Sequence, residues 1–243
     1  MTTILLARHG ETDWNREKRW QGLADHSLNA RGREQAKALA EKLEAVPFSA
    51  VYASDLRRAH ETALIVAERK GLAVTPMREL REIDVGSWTG LSYDEVKERF
   101  RDAYTQVRSR TGRGWEGGET YAEMGRRVLE AMRWIAREHP GDAVLVVTHS
   151  GPIRTVRAHA LGLDYATDRT AAPTVDRIEL SAVTVADGVF RPADAEIHQH
   201  GAAVLALQPL VALDALLGVV LRLALFPRDL HAVDAAVTLV EQR

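Results

Sequence analysis

The chain has 243 residues, 46% of them hydrophobic, which is enough for one α/β domain with a buried core. Its formal net charge of −2 creates no overall field that would favour nucleic acid or a membrane surface as a partner. It contains no cysteine, which excludes disulfides, a thiol nucleophile and a cysteine-based metal site. The N-terminus lacks the charged region and the long apolar run of a cleaved signal peptide, so we expect a cytoplasmic protein.

The first predicted element is a strand over residues 4–8, which ends directly before His9 and Gly10. Imidazole is a nitrogen nucleophile at neutral pH, and the adjacent guanidinium of Arg8 can bind a phosphate dianion through paired hydrogen bonds. Residues 8–10 are therefore a candidate phosphoryl-transfer site.

Two helices are predicted next, on either side of a strand over residues 49–53. Asn29 is a typical N-cap for a helix from about 30 to 45, whose apolar residues recur at helical spacing. Asp55 is predicted to cap the following helix, which would end near residue 70.

A long helix is predicted to begin after Thr120, because Thr120 and Glu123 form a capping-box pattern. It is predicted to end at His139, because Pro140 follows. The apolar strand after it, residues 143–148, again ends in a histidine, His149.

The alternation continues with a helix from Pro152 to about Gly162 and two short strands within residues 174–191. Alternating strands and helices predict an α/β fold around a mostly parallel sheet. Segment 83–118, rich in glycine and charge, is interpreted as a short cap insertion over the site, within a domain spanning residues 1–193.

Residues 194–243 form an atypical apolar extension, for which a helix packed on the domain or at a subunit interface is expected; the latter would make the protein a homodimer. A membrane span is not expected, because Pro209, Asp214 and Arg222 interrupt the apolar run. His198 and His200 lack a carboxylate-rich partner set, and no metal is assigned.

The two strand-ending histidines point to one site. Ligands of open α/β sheets bind beyond the carboxyl ends of the strands, so pairing strand 4–8 with strand 143–148 would put His9 and His149 in one pocket.

Four segments together resemble the histidine phosphatase superfamily, the phosphoglycerate-mutase-like group. The resemblance covers about residues 3 to 165, and its motifs are LLARHGETDWN, SDLRRA, LREIDVGSWTG and VVTHSG. It implies a three-layer α/β/α sandwich, a small phosphorylated substrate, no cofactor, and no nucleic-acid or membrane partner.

The resemblance also implies roles. His9 would attack phosphorus and carry the phosphoryl group, and Glu82 would protonate the leaving group. The charge on the phosphoryl oxygens would be met by Arg8, Arg58 and His149.

Further donors are expected at the neutral amides of Asn15 and Gln21 and at the amides of Ser150 and Gly151. Ser150 departs from the family pattern, in which glycine often follows the second histidine. Alternatively, Gln21 makes only structural hydrogen bonds and does not contact the substrate.

Some assignments rest on a choice between neighbours. Arg58 is preferred to Arg57 because it precedes alanine in the motif, and Glu82 is preferred to Glu79 and Asp84 by its place in the motif. Trp88 is interpreted as a packing residue.

The short cap favours a metal-independent phosphomonoesterase, a histidine acid-type phosphatase, with a phosphohistidine intermediate. A cofactor-dependent phosphoglycerate mutase is the alternative, although residues 19–22 lack the Phe-Thr-Gly-Trp pattern of those mutases. A non-catalytic phospholigand-binding protein is a further alternative, but a binder would have no need for a proton donor such as Glu82.

Overall fold

A computed structural model describes residues 1–108, 115–167 and 180–193. The predicted C-terminal extension, residues 194–243, therefore lies outside the described residues. The described strands are as follows: β1 Thr2–Arg8, β2 Ala50–Ser54, β3 Val74–Met77, β4 Ala143–Thr148, β5 Leu180–Ala186 and β6 Val189–Pro192. The helices are as follows: α1 Asp13–Arg16, α2 Ala30–Lys42, α3 Arg57–Lys70, α4 Tyr93–Arg99, α5 Arg101–Arg108, α6 Tyr121–Glu138 and α7 Ser150–Ala160.

The strands form one sheet in the order β3-β2-β4-β1-β5-β6. The first four of these run parallel to one another, and β5 and β6 extend the edge in antiparallel fashion. The prediction of a mostly parallel sheet is confirmed.

Helices cover both faces of this sheet. Ile4 and Leu6 share a core cluster with apolar residues of α6 and α7. Since side chains of a strand alternate between faces, Leu5 and Ala7, also fully buried, belong to the opposite face, where α3 packs on β2 and α2 packs on α3. The result is the predicted three-layer α/β/α sandwich.

Local capping explains where several helices begin. The Asn29 side chain accepts from the amide of Gly32, and Thr120 with Glu123 forms a complete capping box at the start of α6. The helix predicted to be capped by Asp55 begins one residue later: the N-cap of α3 is Leu56, which makes no side-chain capping bond. Asp55 instead binds Arg81, and this pairing explains the wrong cap assignment.

The described parts of the cap segment, residues 83–108 and 115–118, contain two short helices, α4 and α5, packed around aromatic side chains. Trp88 is 1% exposed and contacts Trp20 and Trp115 through its ring edges or face, so it packs as predicted. Within the described ranges, no helix has the length and apolar character needed to cross a bilayer.

Candidate active site

The centre of the site lies at the carboxyl ends of two adjacent parallel strands, β1 and β4. Their register aligns Arg8 with Thr148, and the amide of His9 donates to the carbonyl of Thr148 at 3.0 Å. His9 and His149 therefore leave the sheet at the same level, with ring centroids 5.1 Å apart and ring planes tilted by 60°. Both rings are buried, and they lie close together at the sheet edge where the strand pattern places them.

The protonation of His9 is set by the backbone next to it. Nδ1 of His9 lies 2.7 Å from the carbonyl oxygen of Gly10. Because a carbonyl oxygen can only accept, this contact places the proton on Nδ1 and leaves the lone pair on Nε2. Nε2 is thus the atom through which His9 can act as a nucleophile.

The loop that carries His9 is fastened from behind. The amide of Gly10 donates to the hydroxyl of Thr62 at 3.1 Å, and that hydroxyl donates to the carbonyl of Arg58 at 2.7 Å. A Cβ on Gly10 would collide with the backbone carbonyl of Gly32 at the start of α2. A glycine is therefore required by the close approach of two backbones, and this contact fixes the position of the nucleophile.

His149 is bonded to a serine at the end of a third strand. Its Nε2 lies 2.8 Å from Oγ of Ser54, which also accepts from the amide of Leu56 at 3.3 Å. The Ser54 proton is therefore available to His149 Nε2, which would place the imidazole proton on Nδ1. That Nδ1 is buried and has no hydrogen-bond partner within the described part of the chain. A phosphate oxygen in the pocket would satisfy this donor.

The charge state of His149 follows from its surroundings. Complete burial is the main cause that lowers its pKa well below the usual value, and the neighbouring groups Arg58, His9 and Arg8 lower it further. His149 is consequently neutral at pH 7 and acts as a hydrogen-bond donor without adding a charge.

Arg58 is a buried cation in the first turn of α3, with 1% of its surface exposed. Its guanidinium donates to the carbonyls of Ala24 at 2.7 Å and Gly22 at 2.9 Å. Burial is the main cause that lowers its pKa to about 10, so it remains charged at pH 7. The neighbouring Arg57 has a side chain that is 69% exposed and pairs with Asp25 outside the site.

Glu82 lies beside the N-terminus of α7. Its Oε1 accepts from the amide of Ile83 at 3.0 Å, and its Oε2 lies 3.4 Å from the amide nitrogen of Gly151. Among the other candidate carboxylates, Glu79 is exposed and Asp84 accepts from the amide of Gly86. The structure thus brings Glu82, and not these neighbours, to the helix that begins after His149.

The predicted neutral donors Asn15 and Gln21 meet at one threonine. The Thr12 hydroxyl lies 3.1 Å from Oδ1 of Asn15 and 3.0 Å from Oε1 of Gln21. Asn15 also completes a capping box with Thr12 at the start of α1. The amide oxygens of both side chains are therefore held by the scaffold, which orients their amide groups. Ser150 is the first residue of α7, next to Gly151.

Three polar residues of the site region were missed by sequence reasoning. Ser54 was inside a quoted motif but received no role, although a polar residue at the end of a buried strand is the same signal that identified His9 and His149. Arg81 binds Asp55 through two contacts of 2.6 Å, and Arg127 of α6 donates to the backbone of residues 79–82. The helical pattern of α6 gave no signal for Arg127, because an arginine on a partly exposed face is usually solvated.

The electrostatics of the pocket suit a dianion. Arg8 and Arg58 supply positive charge, and the N-terminus of α7 adds backbone amides and the positive end of the helix dipole. No group of three or more histidine, aspartate or glutamate side chains able to hold a metal occurs in the described residues. The arrangement can bind a phosphoryl group, attack it from His9, and exchange a proton at Glu82.

Comparison with known proteins gives a consistent picture. Residues 4–195 match the model of the histidine phosphatase superfamily, branch 1. The chain is 36% identical over 165 residues to phosphoserine phosphatase 1 of Hydrogenobacter thermophilus, an alignment that covers 68% of this chain and 78% of the relative.

Solved structures agree with this match. The structure of YhfR from Bacillus stearothermophilus is 34% identical, has a TM-score of 0.74, and is aligned over 79% of this chain and 96% of its own. A mycobacterial glucosyl-3-phosphoglycerate phosphatase in complex with VO3 is 28% identical, with a TM-score of 0.72 over 78% of this chain and 96% of its own.

Proposed function

The chain belongs to the histidine phosphatase superfamily and is a phosphomonoesterase, and we propose that His9 is its nucleophile in the hydrolysis of small phosphorylated metabolites. The observation that carries this proposal is the contact of His9 Nδ1 with the Gly10 carbonyl, which leaves the Nε2 lone pair inside a pocket lined by Arg8, Arg58 and His149.

The first step transfers the phosphoryl group to the enzyme. His9 Nε2 forms a bond to phosphorus while the bond from phosphorus to the ester oxygen breaks. Glu82, in its protonated form, gives its proton to the departing oxygen, so the alcohol leaves neutral. Arg8, Arg58 and the neutral His149 donate to the three phosphoryl oxygens, on which charge is spread in the transition state.

The second step returns the enzyme to its starting state. Water attacks phosphorus, the bond to His9 Nε2 breaks, and the Glu82 carboxylate takes the proton released by the water. Inorganic phosphate leaves, and His9 and Glu82 recover their initial protonation. Guanidinium and imidazole groups meet the phosphoryl charge at each stage, which supports a metal-independent reaction.

The finer assignment as a histidine acid-type phosphatase follows from the role of Glu82. A carboxyl group can protonate the leaving oxygen only while it holds its proton, so we propose that activity declines on the alkaline side of its optimum. The Gly151 amide nitrogen, 3.4 Å from Oε2, helps to keep the carboxyl group at the mouth of the phosphate site.

Names of the relatives suggest the first substrates to test, namely L-phosphoserine and glucosyl-3-phosphoglycerate. We propose hydrolysis rather than a mutase reaction, because the helices in the described part of the cap are all short, the longest being α5 with 8 residues. Retention of a phosphohistidine for transfer back to a substrate requires better exclusion of water than a short cap offers. Interconversion of 3- and 2-phosphoglycerate faster than phosphate release would favour the mutase instead.

The remaining assignments follow from composition. We propose that the protein acts in the cytoplasm on small molecules. We also propose that it has no nucleic-acid or membrane partner, because its net charge of −2 produces no field that would attract nucleic acid or an anionic membrane surface. A homodimer is the alternative to a monomer, and sedimentation velocity at several concentrations distinguishes them.

The decisive test is direct detection of the intermediate. Enzyme mixed with a 32P-labelled substrate and quenched rapidly in alkali, in which phosphohistidine survives, is expected to carry label at His9. His9→Ala should abolish both label and turnover, while His60→Ala, a histidine of α3 with no role in the site, should retain both. Normal turnover by the His9→Ala enzyme would overturn the proposal.

A further inference from the structure

We propose that Arg127, paired with Glu119, is a positioning residue that holds the backbone on which the proton donor Glu82 is mounted. This inference rests on the proposed role of Glu82 as general acid. It assigns a purpose to a side chain on α6 that does not itself face the phosphoryl group.

The segment that leads into Glu82 lies outside the sheet, and side chains bind the carbonyls of residues 79–82. Nη1 of Arg127 donates to the carbonyls of Glu79 at 2.8 Å and Arg81 at 2.7 Å, and Nη2 donates to the carbonyl of Glu82 at 3.0 Å. The carbonyl between them, that of Leu80, accepts from the Thr148 hydroxyl at 2.6 Å. Four consecutive carbonyls are thus held by two side chains, and Arg127 serves three of them.

The same guanidinium forms a two-pronged ion pair with Glu119. Nε of Arg127 lies 2.6 Å from Oε1 of Glu119, and Nη2 lies 2.6 Å from Oε2. All five N–H donors of Arg127 are therefore used, three on backbone carbonyls and two on one carboxylate. A lysine has only three donors and no planar fork, so it cannot reproduce this set.

This ion pair is not an ordinary surface contact. The exposed fractions of the two side chains are 23% for Arg127 and 18% for Glu119, so each charge has lost much of its water and depends on the other. Glu119 is fixed in turn, because its amide donates to the carbonyl of Asp84 at 2.9 Å. The pair consequently ties the residues on both sides of Glu82 to the start of α6.

The position of Glu82 depends on this anchoring, because its own side chain is held mainly by its neighbours. Oε1 binds the next amide, that of Ile83, so a shift of the backbone moves the carboxyl group with it. On the other side, Arg81 binds Asp55. A displacement of about 1 Å at a catalytic group can lower a rate by about a hundredfold.

The pair also gives a role to segment 117–120, Gly-Gly-Glu-Thr. A Cβ on Gly118 would collide with the Asp84 carbonyl, so a glycine here lets the chain approach closely enough for Glu119 to reach Arg127. Thr120 then begins α6, the helix that carries Arg127. The segment therefore serves to dock α6 onto the backbone of the proton donor.

The proposal predicts a defect that depends on the leaving group. We would measure kcat/KM for L-phosphoserine, whose alkoxide needs a proton in order to leave, and for p-nitrophenyl phosphate, whose phenolate needs little help. Arg127→Lys is expected to lower kcat/KM for L-phosphoserine about ten- to a hundredfold, with a much smaller effect on p-nitrophenyl phosphate. Glu119→Gln, a milder change that keeps the fold, should show the same selectivity at lower amplitude.

Arg126→Lys is the matched control, because Arg126 is the adjacent arginine on α6 and is exposed. It should leave both substrates unaffected. Circular dichroism and urea unfolding of all variants establish that each is folded at the assay temperature.

A double variant separates this inference from the proposed function. In a Glu82→Gln background, Arg127→Lys should cause little further loss of activity. The glutamine side chain cannot protonate the leaving group, so its exact position no longer affects that step. Equal losses for the two substrates, or full additivity with Glu82→Gln, would overturn the positioning role. A leaving-group-dependent loss of activity in Glu82→Gln, with no such dependence in Arg127→Lys, would leave the proposed function standing and reject this inference.

Discussion

The Ser54 hydroxyl lies 2.8 Å from Nε2 of His149, and it connects β2 to the histidine that follows β4. The contact selects which imidazole nitrogen carries the proton. A neutral histidine donates from one nitrogen only, so the serine decides whether His149 can donate to phosphate from Nδ1.

Ser54→Ala is therefore expected to lower kcat/KM about tenfold and to weaken binding of vanadate, because His149 loses its preferred tautomer. It leaves a buried nitrogen unsatisfied, which should lower the free energy of unfolding by about 1–3 kcal/mol. Steady-state kinetics and urea unfolding measure the two effects. Ser87→Ala, at an exposed serine, is the control, and equal behaviour of the two variants would contradict the tautomer argument.

Arg58→Lys is expected to lower kcat/KM by about 10²–10³, the usual effect of removing one donor from a preorganised oxyanion site. Lysine keeps the charge but cannot bind the carbonyls of Gly22 and Ala24 and the substrate together. Arg57→Lys, at the exposed neighbour, should change the rate less than about twofold. Comparable losses in the two variants would show that the wrong arginine has been assigned.

Stability should fall on acidification because His149 is buried in the neutral form. Its pKa in the folded state lies well below the usual value, whereas in the unfolded chain it titrates near about 6.5. The stabilisation is therefore complete above this pH and declines below it, as the unfolded chain takes up a proton that the folded protein excludes. Urea midpoints measured between pH 8 and pH 5 should fall less steeply in His149→Gln, and parallel curves would refute the prediction.

Gly118→Ala is expected to destabilise the fold by about 1–3 kcal/mol, because the added methyl group meets the backbone of Asp84 and Gly86 rather than a movable side chain. Gly125→Ala on α6 is the matched control, since its Cβ would lie 3.6 Å from Thr155 Cγ2, an ordinary contact. In a helix interior this change should be neutral or stabilising by about 0.5–1 kcal/mol. Thermal unfolding compares the two, and a harmless Gly118→Ala would mean that the backbones are not in close contact.

Turnover is expected to survive removal of metals. Positive charge for the phosphoryl oxygens comes from Arg8 and Arg58, so prolonged dialysis against EDTA should leave kcat unchanged. A loss of activity that added Mg²⁺, Mn²⁺ or Zn²⁺ restores would overturn metal independence.

The part of the site that binds the phosphoryl group could be predicted from the sequence, because its histidines directly follow recognisable strands. An apolar run that ends in a histidine occurs twice, at His9 and at His149, and parallel strands bring such ends together. The same reasoning predicted the capping box at Thr120, since that signal is local.

Long-range polar pairs could not be predicted in this way. Asp55 has the residue type and the position of a helix cap, but a cap and an ion pair compete for one carboxylate, and Arg81 is close in space only once the chain has folded. Arg127 is hidden for a similar reason. Residue spacing on α6 predicts the helix face on which Arg127 lies, but it does not predict the three backbone carbonyls to which Arg127 donates.

The alignment of Arg8 with Thr148 has a consequence for how such an enzyme changes. A slip of one residue between β1 and β4 would exchange the side chains packed on the two buried faces of β1, Ile4 and Leu6 on one and Leu5 and Ala7 on the other, and would disrupt the packing of both helix layers. The two imidazoles are thus tied to the central strands of the sheet, while the proposed cap over the rest of the substrate belongs to a separate insertion. Reshaping that insertion should alter which esters are accepted and leave the phosphorus chemistry intact.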